Sequence, residues 1–488
     1  MKSVIEYVSH YAAETPDKAA VVTAERQLTY RQLFQLVRGY AQYLKNEGVK
    51  KGNIVVARAS QNIDYVVLYL SVHLTGGVIA AMEKSLSQNA IINVARKLGA
   101  HVVIGEKVPE NDYDALYLDR DRVLENAEAT VPGEGDCFPE GSDSADILFT
   151  TGTTGSSKGV ELSHRALVAT AENLIYGCEY KKDTVMIGPG PLNHANAIRK
   201  LFTTLVNGST IYILNGMTNL KAFYTALEYQ DHDMACCLPP AAIRTIFVLT
   251  KDRLGQYAER IDFIESATSP LPEPDKLRLC ELLPHTRLYN NYGSSESASV
   301  CMYDYNRYPG KVGCIGRAMP NSKILIVDDD RKVIQSSREH MGLIACMGDV
   351  NMKGYVNEPM LTKEVLRDGV LYTNDIGYMD EEGFIYVSGR KGDVINVGGL
   401  KVAPTEVEAA ALAIDNVEDC ICIPVDDRIS GKALKLLVVC EEEEKFDPRQ
   451  IQKDLSLKLE AYKVPRFIEK TDKVERTYNG KLNRKAYL

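Results

Sequence analysis

The sequence predicts an α/β fold: a large N-terminal domain of parallel sheets covered by helices, a β-rich subdomain, and a small C-terminal α+β domain. Three observations predict it. Strand-like and helix-like runs alternate over residues 19–106 and again over 185–292, as parallel strands joined by helical crossovers do. From residue 310 to 389 the texture changes to short strands broken by glycine turns. From 404 to 488 a helix, two strands (420–425 and 434–440), a second helix and an extended tail read as a separate small unit. A chain of 488 residues with 45% apolar content can fill several cores, so more than one domain is expected.

In chain order, residues 54–57, 78–82 and 101–105 read as strands. Leu33, Val37, Tyr40, Ala41 and Leu44 share one helical face, and Gly48 is a C-terminal stop. The polar, turn-rich segment 132–146 is an exposed connection. Ile147, Leu148 and Phe149 read as a buried strand, and the run from Ser163 through Ala166, Leu167, Thr170 and Ala171 has helical spacing. The stretch between them is therefore predicted as strand, loop, helix. Further strands are expected at 185–188, 210–214, 234–238, 263–267 and 288–292, with no internal repeat and no low-complexity segment.

Charge and cysteines narrow the class. A net charge of −9, from 57 basic and 66 acidic residues, argues against a nucleic-acid surface, so any phosphate ligand would be held locally. No apolar run approaches a membrane span, and the N-terminal run MKSVIEYVSHYAAETPDK lacks the apolar core of a signal peptide. Of the eleven cysteines, Cys236-Cys237 and Cys420-x-Cys422 fall inside apolar strand-like runs rather than C-x-x-C hooks. Reduced core thiols in a cytoplasmic protein are expected.

The loop after Phe149 carries the chemistry. Thr150, Thr151, Thr153, Thr154, Ser156 and Ser157 surround Gly152 and Gly155, and Lys158 and Gly159 close the run. Glycines let backbone N–H groups turn toward an anion, hydroxyls add donors, and one lysine balances charge, which suits a polyphosphate. A Walker A loop is excluded, because Lys158 is followed by Gly159 and preceded by Ser157; a G-x-G-x-x-G fingerprint is absent too. A Ser/Thr/Gly linker has similar composition but rarely holds a lone lysine between a buried strand and an amphipathic helix.

This run resembles the signature loop of the adenylate-forming enzymes, which include acyl-CoA synthetases, peptide synthetase adenylation domains and firefly luciferase. Other motifs follow in the family's order over essentially the whole chain. Leu28-Thr29-Tyr30, Asn62 and Gly76-Gly77 resemble N-terminal landmarks. His194, after a proline-rich turn, corresponds to a histidine beside the reacting carboxylate, although a loop histidine is more often structural. The Phe-Asp that peptide synthetases usually carry there is missing, which speaks against an α-amino acid. Ala267, Thr268 and Ser269 resemble the segment whose backbone lies against adenine, where the family usually has glycine at the first two positions. Asn291-Tyr292-Gly293-Ser294-Ser295-Glu296 resembles Y-G-x-T-E, implying adenine stacking by Tyr292 and Mg²⁺ held by Glu296 with Thr150. Asp375, in a run resembling Y-x-T-G-D with Asn374 for glycine, implies a ribose acceptor. Arg390 approaches ribose and phosphate, Gly392 is the hinge, and Gly398, Gly399 and Leu400 form the thiol passage by the same resemblance. Lys481 lies in a terminal N-G-K-x-x-R match. Singly, the acidic residues and the terminal lysine would each read as solvated side chains in turns.

The resemblance implies a two-step reaction. A carboxylic acid attacks the α-phosphorus of ATP, giving an acyl-adenylate and pyrophosphate, with Lys481, Mg²⁺ on Glu296, and Lys158 with the loop meeting the charge. The thiol of coenzyme A then displaces AMP. It further implies an adenylation core at 1–389, a hinge at 390–394 and a mobile lid at 395–488. Free coenzyme A is the expected acceptor because the chain ends just after the lysine motif; a separate acyl carrier protein is the alternative, and a luciferase-like oxygenase or a non-catalytic adenylate sensor would share the fold. The acyl pocket is expected between the segment after His194 and residues 294–300. Arg199 and Lys200 follow His194: as long cations they are expected to stay hydrated, but an Arg199 directed into the pocket would suit an acid with a second anionic or polar group.

Overall fold

The structure, a computed structural model, describes residues 1–105, 113–150, 158–398, 400–428, 431–476 and 482–487. Among these, the strands build two large sheets and two small ones. The large sheets use only residues up to Arg390, and the small ones only residues from Ile395 onward.

The seven-stranded sheet has a parallel body of Leu116–Leu118, Val102–Ile104, Ile54–Arg58, Val78–Met82 and β1 (Ser144–Thr150). β1 continues antiparallel into β2 (Lys158–Ser163), with Thr150 opposite Lys158. The polyphosphate-type loop therefore joins two strands of a hairpin, and the predicted strand–loop–helix lacked one strand. Only residues 160–163 alternate buried and half-buried sides, and helical spacing begins after Ser163, whose hydroxyl accepts from Ala166 N to cap α1 (His164–Gly177).

The fourteen-stranded sheet has two halves. Ala19–Val22, Thr210–Ile213, Val185–Gly188, Met234–Cys237, β3 (Ile261–Ser266) and β4 (Arg287–Ser294) run parallel. From β4 onward the pairing turns antiparallel, through β5 (Ala298–Asp304) and Cys314–Ala318 to later strands. The expected β-rich part thus continues the main sheet across Cys314–Ala318 rather than standing apart. Gly354–Tyr355, here β6, crosses to the other large sheet and pairs with β2. β7 (Val370–Met379) and β8 (Ile385–Arg390) pair so that Asp375 faces Arg390.

Helices fill the space between the sheets. Ile63–Thr75 is apolar on all sides and buried at every residue but Asp64, as a helix covered on both faces must be. Asn62 caps its start, and Gly76, at φ 75°, ends it in the left-handed turn that favours glycine. Fully buried His73 on this helix meets Asp146 of β1 at 2.8 Å, which ties helix to sheet. Helix α2 (Ala195–Asn207) lies beside α1 in the same interior.

Beyond the large sheets, Ile395–Val397 and Leu400–Val402 form a hairpin, and Val417–Asp427, Gly431–Cys440 and Phe467–Lys470 form a three-stranded sheet with its own apolar core. Helix α3 (Pro404–Leu412) packs on that sheet and carries buried Glu408, whose carboxylate accepts from both Cys422 N and Arg484.

Candidate active site

The C-terminal ends of parallel strands collect the candidate residues. The loop after Val185–Gly188 leads to His194, the turn after β3 holds Ala267, Thr268 and Ser269, and the tip after β4 holds Ser295 and Glu296. In the second sheet, Thr150 ends β1. Gln61, just past Ile54–Arg58, binds the two edges together: its amide donates to the carbonyls of Gly190 (2.6 Å) and Leu214 (2.9 Å) and accepts from Leu192 N (2.7 Å). The carboxyl ends of both sheets thus border one crevice, where open α/β sheets bind ligands.

The β4–β5 hairpin forms the centre of that crevice. Gly293 has no room for a side chain, since a Cβ there would lie 1.7 Å from the Ala298 carbonyl oxygen. The Ser294 hydroxyl accepts from the backbone N–H of Glu296 and Ser297, both at 3.1 Å, and fixes the tip. Glu296 Oε1 accepts from the Tyr355 hydroxyl at 2.9 Å, and the Lys158 ammonium sits 5.2 Å from the centre of the Tyr355 ring. Burial, reinforced by Glu296, pushes the Tyr355 hydroxyl up, so it stays protonated and donates. Thr150, Lys158, Tyr355 and Glu296 therefore form one edge that carries both an acid and a base. Thr151, Gly152, Thr153, Thr154 and Gly155 lie outside the described residues.

A second group lies on the other side of the hairpin. The Tyr292 hydroxyl donates to Asp375 Oδ2 at 2.5 Å, and Arg390 Nε donates to Asp375 Oδ1 at 3.1 Å. Three strands separate β4 from β7 in the sheet order, about 19 Å across a flat sheet. The bond between Tyr292 and Asp375 therefore requires the antiparallel half to curl over the crevice. Asp375 sits within β7 rather than in a turn, and its N–H is held by the Thr373 hydroxyl at 3.1 Å. Burial, then Asp375, raises the Tyr292 hydroxyl well above its ordinary value. Thr268 adopts φ 81°, the left-handed backbone that glycine favours.

The hinge and thiol-passage candidates lie beyond β8. Asp393 N and Val394 N both bond back to Arg390 O, at 2.9 and 3.1 Å. A Cβ on Gly392 would meet nothing within 4 Å. Gly398 has φ 60°, and Leu400 is half exposed. Gly399 and Lys481 lie outside the described residues. Arg484, three residues past Lys481, grips Glu408 through Nη2 at 2.6 and 2.5 Å and lies 4.0 Å from Asp393.

The remaining wall corrects one expectation. His194 precedes α2, and burial lowers its pKa against an opposing pull from Glu83. Arg199 and Lys200 are not hydrated: they are 9% and 0% exposed. Their helix is packed between sheets, so both faces are interior, and each cation is held by the protein. Lys200 Nζ pairs with fully buried Glu265 at 2.6 Å; burial pulls its pKa down, Glu265 pulls it up, and the net is upward. Asn291 turns into this wall rather than toward a ligand, its amide donating to Glu265 Oε1 (2.8 Å) and the Ser299 hydroxyl (3.0 Å). Arg199 Nη2 donates to the Ser294 carbonyl at 2.8 Å, and burial brings its pKa down to about 10. Sequence reasoning missed Gln61, Tyr355 and the Lys200–Glu265 pair. Only adjacency to a motif marked Gln61, and the two-residue strand holding Tyr355 carries no periodic signal.

The comparisons agree with this architecture. The family model described as AMP-binding enzyme matches residues 8–356, and that of the AMP-binding enzyme C-terminal domain matches 406–481. A long-chain-fatty-acid–CoA ligase of Bacillus subtilis is 26% identical, over 100% of this chain and 94% of that one. A 2-succinylbenzoate–CoA ligase of Geobacillus is 26% identical over 99% and 96%. Among solved structures, ATP-bound MatB from Rhodopseudomonas palustris matches with a TM-score of 0.87 at 22% identity, over 99% of both chains. The o-succinylbenzoate CoA synthetase of Bacillus subtilis with its acyl-adenylate intermediate matches with a TM-score of 0.85 at 21% identity, over 99% and 97%.

Proposed function

The chain belongs to the AMP-binding enzymes, the adenylate-forming family, and from that premise we propose how its residues divide the reaction. The enzyme is an AMP-forming acid–thiol ligase: it converts a carboxylic acid and ATP to an acyl-adenylate and pyrophosphate, then transfers the acyl group to the thiol of coenzyme A. The relatives named above act on a long-chain fatty acid and on 2-succinylbenzoate. The observation that carries the residue assignment is the β4–β5 hairpin, which touches both polar groups at once.

On the nucleotide side, the Asp375 carboxylate accepts from the ribose hydroxyls, Tyr292 covers the adenine with the backbone of Ala267, Thr268 and Ser269, and Arg390 approaches ribose and phosphate. Asp375 already accepts from Tyr292 and Arg390, which orients its carboxylate before ATP arrives. On the polyphosphate side, Lys158, Thr150 and the loop beyond it hold the outer phosphates. The donor set fits Mg²⁺: Glu296 is a hard oxygen ligand, with Oε1 engaged by Tyr355 and no other side-chain partner among the described residues. No cluster of three or more His, Cys, Asp or Glu side chains occurs among the described residues, so the substrate phosphates would complete the coordination, as Mg²⁺ prefers. When bound, the ion neutralises charge on the phosphates. Lys481 supplies the cation where the carboxylate and α-phosphate meet, and His194, kept neutral by burial, lines the approach of the acid.

The large sheets end at Arg390 and the small ones begin at Ile395, which supports a core at 1–389, a hinge at 390–394 and a lid at 395–488. Rotation about Gly392, where no side chain would pack, exchanges Lys481 for the Gly398–Leu400 passage. All eleven cysteines are free, which supports a reducing, cytoplasmic setting, and no helix among the described residues is long and apolar enough to cross a membrane.

Lys481→Ala should lower adenylate formation about 100-fold or more, and supplying preformed acyl-adenylate should bypass the loss. Folded Gly399→Leu should retain pyrophosphate exchange and lose thioester formation. Adenylation by Lys481→Ala at the wild-type rate would overturn the assignment. A carrier protein is the second reading for the acceptor, because bacitracin synthase 3 of Bacillus licheniformis is 24% identical over 99% of this chain, which covers 8% of that protein. AMP release with acid and free coenzyme A decides between them.

A further inference from the structure

Arg199 and Lys200 are consecutive, both enter the interior from α2, and the fold treats them differently. Lys200 has a carboxylate at 2.6 Å and is fully enclosed with it. Arg199 has none: among the described residues no Asp or Glu oxygen lies within 4.0 Å of its guanidinium, and Nη2 alone is used, on the carbonyls of Ser294 (2.8 Å) and Ser295 (3.5 Å). Two carbonyl dipoles hold its orientation without neutralising it. Glu296 and Glu265 raise its proton affinity from a distance, but burial prevails. A cation nine-tenths buried without an ion-pair partner is costly to keep and gains most from an incoming anion.

Its position says which anion. Arg199 spans from the helix after His194 to the tip of the β4–β5 hairpin, the two segments between which the acyl pocket is expected. The nucleotide's anions have their own cations on the two sides of the same hairpin, Lys158 beside Tyr355 and Arg390 beside Asp375. Resting on the ligase reading above, we infer that the acid this enzyme activates carries a second anionic group, and that Arg199 binds that distal group while the first carboxylate reacts. Among the described residues Nε and Nη1 donate to nothing, so their N–H groups remain for a carboxylate.

The test uses acids matched in length that differ only in the distal group: butyrate against succinate, and hexanoate against adipate. Acid-dependent ATP–pyrophosphate exchange is measured for wild type, Arg199→Met and Arg199→Lys, with melting curves to confirm folding. Wild type should prefer the dicarboxylate of at least one pair by about 100-fold in kcat/KM, as expected for a buried charge pair. Arg199→Met should collapse that ratio toward one, and Arg199→Lys should restore part of it. If Arg199→Met does not fold, the Lys variant and the wild-type preference still decide. A wild type that takes the monocarboxylates equally well overturns the inference while leaving the ligase reading intact. A ratio unchanged in a folded Arg199→Met, with both acids or ATP weakened alike, also overturns it and makes Arg199 a tether of the hairpin. Absence of exchange with all four acids, and with a broader panel of acids, would instead count against the ligase reading.

Discussion

Asn291 and Tyr292 are neighbours on one strand, and their side chains point to opposite faces of the sheet. Asn291 joins a closed network: its amide donates to Ser299 and to Glu265, Glu265 also accepts from Lys200, and these three partners are each at least nine-tenths buried. Tyr292 joins an open one: Asp375 is 16% exposed and Arg390 52% exposed at the side-chain level, and both face the crevice. In the wall, charge is spent on fixing the fold. At the rim, charge is arranged but left accessible to a ligand. Changes to the wall should therefore appear as stability, and changes to the rim as affinity and rate.

The largest expected effect breaks the wall. Lys200→Ala leaves Glu265 buried without its counter-ion, and denaturant unfolding should show a loss of about 3–5 kcal/mol. Lys200→Met combined with Glu265→Met removes both charges and should recover most of that loss. Wild-type stability in the single variant would erase the distinction between the two networks. Next in size is Asp375→Ala at the rim. It should raise KM for ATP by about 100-fold, the loss of two charge-assisted hydrogen bonds, while unfolding free energy falls by about 1–3 kcal/mol, the cost of leaving the buried Tyr292 hydroxyl unpaired. A variant that binds ATP normally would remove Asp375 from the ribose site.

The smallest effect extends the comparison to the C-terminal unit, where Glu408 is buried beside Arg484. Burial raises the Glu408 carboxyl to about 7, against the opposing pull of Arg484. A folded-state value above the unfolded one means the folded chain holds the proton more tightly. Its stabilising contribution is complete below pH 4.5 and falls as pH rises toward 7. Relative to Glu408→Gln, the wild type should lose about 2 kcal/mol between pH 5 and 7. A difference that stays flat, or grows in favour of the wild type, would mean that pairing with Arg484 outweighs burial.

Much of this was legible in the sequence, for stated reasons. Apolar runs such as Val78–Met82 and Val185–Gly188 are buried on both faces, so composition alone marks them as strands. Tyr292, Asp375 and Arg390 were marked by motif resemblance, and the curl of the sheet brings them together. Strand β2 escaped notice because six residues between a glycine-rich loop and a strong helix give little period-two signal. The fate of Arg199 and Lys200 was misread because hydration of long cations is a surface rule, and only tertiary packing shows that α2 has no surface there. Their partners, Glu265 and the Ser294 carbonyl, lie 65 and 95 residues away in the chain, beyond any local pattern.

In the proposed reaction one crevice joins an acid to AMP before any thiol is involved. Exchange of labelled pyrophosphate into ATP, measured with an acid panel that includes the dicarboxylates above and without coenzyme A, tests it most directly. Exchange should depend on the acid, and AMP release and thioester formation in equal amounts should follow once coenzyme A is added. Formation of ADP and phosphate, or acid activation that begins only when the thiol is present, would contradict it.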